Sequence, residues 1–217
     1  MRILVVESDD LQQQAAREQL SDHELTIARD FIGAMWVMAE RVDEEAFRRI
    51  LPESEIPVSF DWTSSSDFLF GDALAKKIGA MEPFPFDVVL TNMMVRRGGG
   101  RYDKDGSRNE SGPFGFPIVL RAALRGAKFV AMVSGMDFER NYFSRYITRL
   151  GTPLPVGDDN RYKPSFVING ATTMFVFAAL TAESSREVRR IDWARILRDL
   201  TTIKVEENRE PNSRAPG

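Results

Sequence analysis

Short runs of β-branched and other apolar residues recur along the chain, each closed by a polar cluster. Between them lie stretches whose apolar residues return every three or four positions. The first run, Ile3-Leu4-Val5-Val6, ends abruptly in Glu7-Ser8-Asp9-Asp10, which reads as a buried strand followed by a helix start. Ser8 or Asp9 can cap a helix over 10–20, in which Leu11, Ala15 and Leu20 face a sheet and the glutamines stay wet. Residues 24–28 read as a short second strand. Residues 31–51 form one long helical pattern carrying Ile32, Met35, Trp36, Met38 and Ala39, which Pro52 helps to end. Residues 52–66 mix prolines, serines and Phe60-Asp61-Trp62 and read as an inserted loop or short strand. A helix over 67–81 then leads into a strand containing Val88 to Leu90.

Farther along, 116–125 predicts a helix terminated by Gly126, and 128–133 a fourth strand with Ser134 and Gly135 at its carboxyl end. The glycine-rich polar stretch 96–112 reads as a mobile loop, because it buries too little surface to offset its ordering entropy. Residues 138–150 read as helix and 151–163 as loop. Asn169-Gly170 stands between two apolar runs, the strongest short hairpin signal in the chain, with a longer strand over 173–179 after it. Residues 188–200 predict an amphipathic helix through Ile191, Ile196, Leu197 and Leu200, and from 201 onward the periodicity is lost. Strands alternating with helices define an α/β protein: a parallel sheet covered on both faces, with its working residues at the carboxyl ends of the strands. The expected organisation is a single domain over 1–201, with insertions at 52–66 and 96–112, and a disordered tail over 202–217.

Composition narrows the classes. A chain of 217 residues, 43% hydrophobic and 28% charged, lies in the ordinary globular range and can bury a core. Twenty-nine Lys and Arg against 32 Asp and Glu give a net charge of -3, which offers no overall attraction to nucleic acid or to an anionic membrane. The apolar start is too short for a signal-peptide core, and the runs at 31–39 and 174–180 fall far short of a bilayer, so a cytoplasmic protein without membrane segments is expected. With no cysteine there are no disulfides, thiolate metal sites or cysteine nucleophiles, as suits a reducing compartment. His23, the only histidine, lies in the polar turn Ser21-Asp22-His23-Glu24 and reads as a solvated turn residue. There is accordingly no nucleophilic triad, and no Gly-x-x-x-x-Gly-Lys phosphate loop occurs.

Three strand ends carry polar groups: Glu7 to Asp10 after the first strand, Asn92 after the third and Ser134 after the fourth. This order resembles the receiver domain of bacterial two-component response regulators. Ile3-Leu4-Val5-Val6-Glu7-Ser8-Asp9 is similar to that family's opening segment, Phe86-Asp87-Val88-Val89-Leu90-Thr91-Asn92-Met93-Met94 to its third strand, and the stretch from Gly126 to Ser134 to its fourth. The resemblance implies a doubly wound, flavodoxin-like, mostly parallel five-stranded sheet with helices on both faces, to which an antiparallel hairpin near Asn169 would be added. It also implies a site made of an acidic pair that binds magnesium, a phosphoaccepting aspartate, a threonine or serine, and a lysine after the fifth strand. The departures run in one direction. Ser8 stands at the position of the principal metal-binding aspartate, Asn92 at that of the acceptor, and no lysine follows 173–179 until Lys204. Lys163-Pro164 has the family's terminal dipeptide but precedes the last apolar runs. An amide has no negative charge with which to attack phosphorus or to serve as an anionic metal ligand.

The leading expectation is therefore a degenerate receiver, a signalling or protein-interaction module without aspartyl phosphate chemistry. Its vestigial site would be Glu7, Asp9, Asp10, Asn92 and Ser134. No cofactor is expected, magnesium at Asp9 and Asp10 being the one ion the residues suggest. The expected partner is a protein, and a homo-oligomer is compatible with the sequence. A metal-dependent or anion-binding enzyme is the alternative, built on Glu7, Asp9 and Asp10, with Arg96, Arg97 and Arg101 closing over a phosphate. Nucleic-acid contact through the arginine-glycine loop and Arg186, Arg189 and Arg190 is disfavoured, since Tyr102 is the loop's only stacking aromatic. Phe60, Trp62, Phe68 and Phe70 read as a satellite core.

Overall fold

The computed structural model describes residues 1–50, 73–98, 111–134, 152–155, 162–177 and 190–202. The chain divides into two compact units, Met1–Met35 with Phe86–Gly217, and Trp36–Pro85. In chain order the elements are β1 (Arg2–Val6), α1 (Asp10–Gln19), β2 (Glu24–Ala28), α2 (Phe31–Val37), α3 (Glu44–Ile50), β3 (Val88–Asn92), β4 (Val95–Arg96) and β5 (Ser111–Gly112). They continue with α4 (Gly115–Arg125), β6 (Phe129–Ser134), β7 (Thr152–Pro155), β8 (Tyr162–Ile168), β9 (Ala171–Phe177) and α5 (Trp193–Thr202).

The larger unit is built on a mixed, mostly parallel sheet of seven strands in the order β2-β1-β3-β6-β9-β8-β7. The first five are mutually parallel. The hairpin expected at Asn169-Gly170 is present, with both turn residues at positive φ (49° and 81°), and it joins β8 to β9 antiparallel. Beyond it β7 pairs with β8, so the expected five-stranded sheet is extended to seven, and part of the 151–163 stretch read as loop is strand. Pro153 and Pro155 obscured β7, since proline donates nothing to a ladder; an outermost strand, paired on one side, is where it is tolerated.

Central strands are buried on both faces, which is why they read as unbroken apolar runs. Ile3, Leu4, Val5 and Val6 are all fully buried, as are Val88, Val89 and Leu90. On one face Ile3, Val5, Val88, Leu90, Ala131, Val133, Met174 and Val176 pack with Ala15 and Ala16 of α1, with Leu20 at its C-cap and with Trp193, Ile196, Leu197 and Leu200 of α5. Helix α4 buries Ile118, Val119, Ala122 and Ala123 beside β3 and β6, and Gly126 ends it at φ 102°.

Helix α1 differs from its expected pattern. Leu11 is exposed, Gln13 is buried, and Gln12 and Gln19 are half-buried. The glutamines hold the chain entering α5: Ile191 N donates to Gln12 Oε1 (2.7 Å), Gln19 Nε2 to Ile191 O (3.1 Å) and Trp193 Nε1 to Gln12 O (3.1 Å). Asp192 caps α5 through Arg195 N (3.0 Å), so Ile191 precedes the helix, while Thr201 and Thr202 lie inside it.

The helical pattern over 31–51 is two helices. Asp30 accepts from Gly33 N (2.7 Å) to start α2, and Asp43 accepts from Ala46 N (2.8 Å) to start α3. Between the helices Val42 makes a bridge with Met81. In the smaller unit Phe47 of α3 packs with Ala75 and Ala80, and with Val42, Leu74, Ile78 and Met81 around them; residues 73–78 are helical. The inserted segment 52–66 with its aromatic cluster, residues 67–72, the loop core 99–110, the helix over 138–150, Arg186, Arg189 and the tail beyond 202 lie outside the described residues. Among the described residues no helix is long and apolar enough to cross a membrane.

At the amino ends of the strands Asp87 ties three of them. Its carboxylate accepts from Arg2 N (3.0 Å) and from Lys128 Nζ (3.0 Å), with Arg2 Nε 3.8 Å away. These bonds, the Arg2 amide first and Lys128 second, hold the Asp87 carboxyl below its ordinary pKa. The folded state therefore binds fewer protons, and Asp87's contribution is complete above the unfolded pKa and lost as pH falls through the folded one. D87N should flatten the decline of thermal midpoint between about pH 6 and pH 2, read by circular dichroism. W193A, which empties a fully buried site in the α1–α5 face, should cost about 3–5 kcal/mol in denaturant unfolding.

Candidate functional site

Glu7 follows the last residue of β1, and its N–H donates to Ala28 O (3.0 Å), carrying the β1–β2 pairing one residue farther. Its side chain is thereby drawn into the protein, where Glu7 is only 2% exposed. Both carboxylate oxygens are answered: Asp9 N donates to Oε1 (2.9 Å) and Asn92 Nδ2 to Oε2 (2.9 Å). The Glu7 carbonyl accepts from Gln13 Nε2 (2.8 Å). Asn92, at the end of β3, is fixed in turn by Met94 N, which donates to its Oδ1 (3.2 Å). That bond sets the amide orientation, because Oδ1 must face Met94 and the NH2 group must face Glu7. Burial pushes the Glu7 carboxyl above its ordinary pKa, against the opposing effect of the Asp9 amide and then the Asn92 side chain.

The other expected site residues are distributed around this pair. Asp9 is exposed and caps α1, its Oδ1 accepting from Gln12 N (3.0 Å). Asp10 lies in the first turn of α1 and forms an exposed ion pair with Arg29 (3.5 Å). Ser134 is buried at the end of β6, one residue past Val133, the register partner of Asn92. Ser8 Oγ accepts from Arg96 N (2.9 Å), so that position serves as a hydrogen-bond acceptor for the chain leaving β3. The side chains of Arg96 and Arg97 are exposed, while Arg101 lies outside the described residues.

Several groups at this end of the sheet were not anticipated. Ile32 N donates to Arg97 O (3.1 Å), which lays the segment after β4 against the start of α2. Gly98 adopts φ 72°, and a Cβ there would come within 2.2 Å of the Asp30 carboxyl group. Gly115 N donates to Met93 O (3.0 Å), and a Cβ at Gly115 would lie 2.3 Å from Asn92 O. Both positions need glycine, the first for conformation and approach, the second for approach alone. Phe31 stacks on Phe114 with ring centroids 5.0 Å apart. Asp30 carried a signal, being a capping residue type two positions past a predicted strand and just ahead of a predicted helix; Gln13, Gly98 and Gly115 depend on neighbours distant in sequence.

Magnesium prefers six oxygen ligands in near-octahedral array. Here both Glu7 oxygens already receive N–H donors, Asn92 presents its NH2 group to Glu7, and Asp9 Oδ1 is engaged at the helix cap. Among the described residues no group of three or more His, Cys, Asp or Glu side chains is placed to hold a metal ion. As arranged, the Glu7 carboxylate and Asp9 Oδ1 are engaged by protein N–H donors and do not form an octahedral oxygen set. In comparisons with known proteins, the chain matches no family model, no curated protein and no solved structure.

Because the Glu7 pKa is raised on folding, the folded state holds the extra proton. The stability associated with Glu7 is full below the unfolded pKa and declines as pH rises through the folded one. Carbon-detected NMR titration should place the Glu7 midpoint above that of an ordinary glutamate. In N92A the midpoint should rise farther, since a hydrogen bond that favours the carboxylate is gone.

Proposed function

We propose that this chain is a degenerate receiver-like module, which uses a doubly wound, flavodoxin-like scaffold to bind a protein partner and performs no aspartyl phosphate chemistry. The observation that carries this reading is the 2.9 Å hydrogen bond from Asn92 Nδ2 to the buried Glu7 carboxylate at adjoining strand ends. The scaffold part is supported by the order β2-β1-β3-β6-β9 among the parallel strands, with α1 and α5 packed together on one face. It is supported too by burial of the alternate residues Leu4, Val89 and Val130 and by α4 packed beside β3 and β6.

Phosphoryl capture at this position needs an anionic oxygen as nucleophile and a cation to neutralise the charge that gathers around it. The amide of Asn92 supplies neither. Its NH2 group instead performs the cation's electrostatic task toward Glu7, directing positive density at a buried negative charge. In this reading the strand ends form a fixed structural knot, and signalling passes through surface recognition by a cytoplasmic protein partner or a second copy.

Incubation with magnesium and phosphoramidate should leave the intact mass unchanged, and a stoichiometric phosphoryl adduct would overturn the proposal. N92D provides the complementary measurement. It sets two carboxylates at hydrogen-bonding distance in a buried site, and should cost about 3 kcal/mol at neutral pH. Millimolar magnesium should recover part of the lost thermal midpoint in N92D and none in wild type, and the gap between N92D and wild type should narrow in mild acid as one of the paired carboxylates takes a proton.

A further inference from the structure

We propose that Asn169 is a site of spontaneous deamidation, and that its product releases the β8–β9 turn from the end of α4. This inference is independent of the reading at Glu7 and Asn92. Asn169 and Gly170 are both exposed and form the two-residue link between β8 and β9. Gly170, at φ 81°, has no side chain to crowd its main-chain nitrogen.

The reaction needs only water and base. The Gly170 nitrogen gives its proton to solvent base and attacks Cγ of Asn169; the Cγ–Nδ2 bond breaks, and the amide leaves as ammonia after taking a proton from solvent. The five-membered imide that forms is opened by water at either of its two carbonyl carbons. One opening gives aspartate, and the other gives isoaspartate, in which the main chain runs through the former side chain. The net change exchanges water for ammonia, with no oxidation or reduction.

The environment gives this chemistry a structural consequence. Asn169 Nδ2 donates to Ala123 O (3.3 Å) and Leu124 O (3.4 Å), carbonyls in the last turn of α4. These bonds lie at the long end of the hydrogen-bonding range, so they restrain the side chain loosely. Deamidation replaces the donor with an anionic oxygen facing two carbonyl oxygens, at the end of a helix where negative charge is unfavourable. Isoaspartate adds a main-chain atom to a two-residue turn, whose length sets the register from Ile168↔Ala171 to Ser165↔Met174. Either product releases the turn from α4, and isoaspartate also disturbs the register of β8 on β9.

The test ages the full folded chain at mildly alkaline pH beside the same chain unfolded in urea, followed by peptide mapping that separates aspartate from isoaspartate. The peptide containing Asn169-Gly170 should convert in both samples, in the folded one at a rate within an order of magnitude of the unfolded one. Retention of the amide in the folded chain while the unfolded chain converts would overturn the proposal. N169G, which keeps a flexible turn and has no amide, should show no mass change in that peptide. N169D should melt about 2–4 °C below wild type, and a midpoint equal to or above wild type would overturn release from α4.

Discussion

A carboxylate taken out of water must be answered by donors, and Glu7 is buried at the point where three elements of the larger unit meet. Leaving an ionised group there unpaired would cost several kcal/mol. The answer comes from Asp9 N in the turn into α1 and from Asn92 Nδ2 at the end of β3, while the Glu7 carbonyl binds Gln13 of α1. The side-chain bonds thus fix the β1–α1 turn and the orientation of the Asn92 amide, and the main-chain carbonyl of the same residue holds α1 through Gln13. The segment leaving β3 is then held by Met94 N on Asn92, Arg96 N on Ser8 and Ile32 N on Arg97 O. Asparagine suits this role better than aspartate or leucine would, since it alone among the three offers a donor to Glu7 and an acceptor to Met94.

The two ends of the sheet treat their carboxylates oppositely. Asp87, at the amino ends, faces Lys128, Arg2 and a backbone amide, and its pKa is lowered. Glu7, at the carboxyl ends, is answered by uncharged donors in a buried setting, and its pKa is raised. The first arrangement anchors β1, β3 and β6 and favours a full charge. The second holds a charge at some cost, which is the condition under which a neighbouring substitution has large electrostatic consequences. Placing an aspartate at position 92 would therefore be an electrostatic event at one end of the sheet, with the anchor at the other end unaffected.

Legibility in the sequence followed the range of the determining interaction. Strands β1, β3 and β6 were legible because burial on both faces leaves unbroken apolar runs, and the hairpin because Asn169-Gly170 encodes its own backbone geometry. The strand-end rule brought Glu7 and Asn92 to one place. Periodicity alone could not divide 31–51, because the break lies in the cap at Asp43 and in pairing with Met81, and the apolar spacing continues through both. Polarity misread the α1 glutamines, whose partners Ile191 and Trp193 lie more than 170 positions along the chain. Gly98 and Gly115 were silent for the same reason, as their need for glycine arises from Asp30 and Asn92 coming close in the folded state.

The hairpin alters the sheet in a way that bears on recognition. With only the five parallel strands, β9 would be an edge and would present unpaired backbone groups to any incoming strand. Pairing with β8 removes that edge, and the outermost strand on this side becomes β7, whose Pro153 and Pro155 contribute no amide donors. Strand addition is thereby disfavoured at this side. The same extension makes the β8–β9 turn matter beyond its size. It sets the register of the ladder by which β8, and β7 beyond it, join the parallel sheet, and its tip is tied to α4 by a single amide.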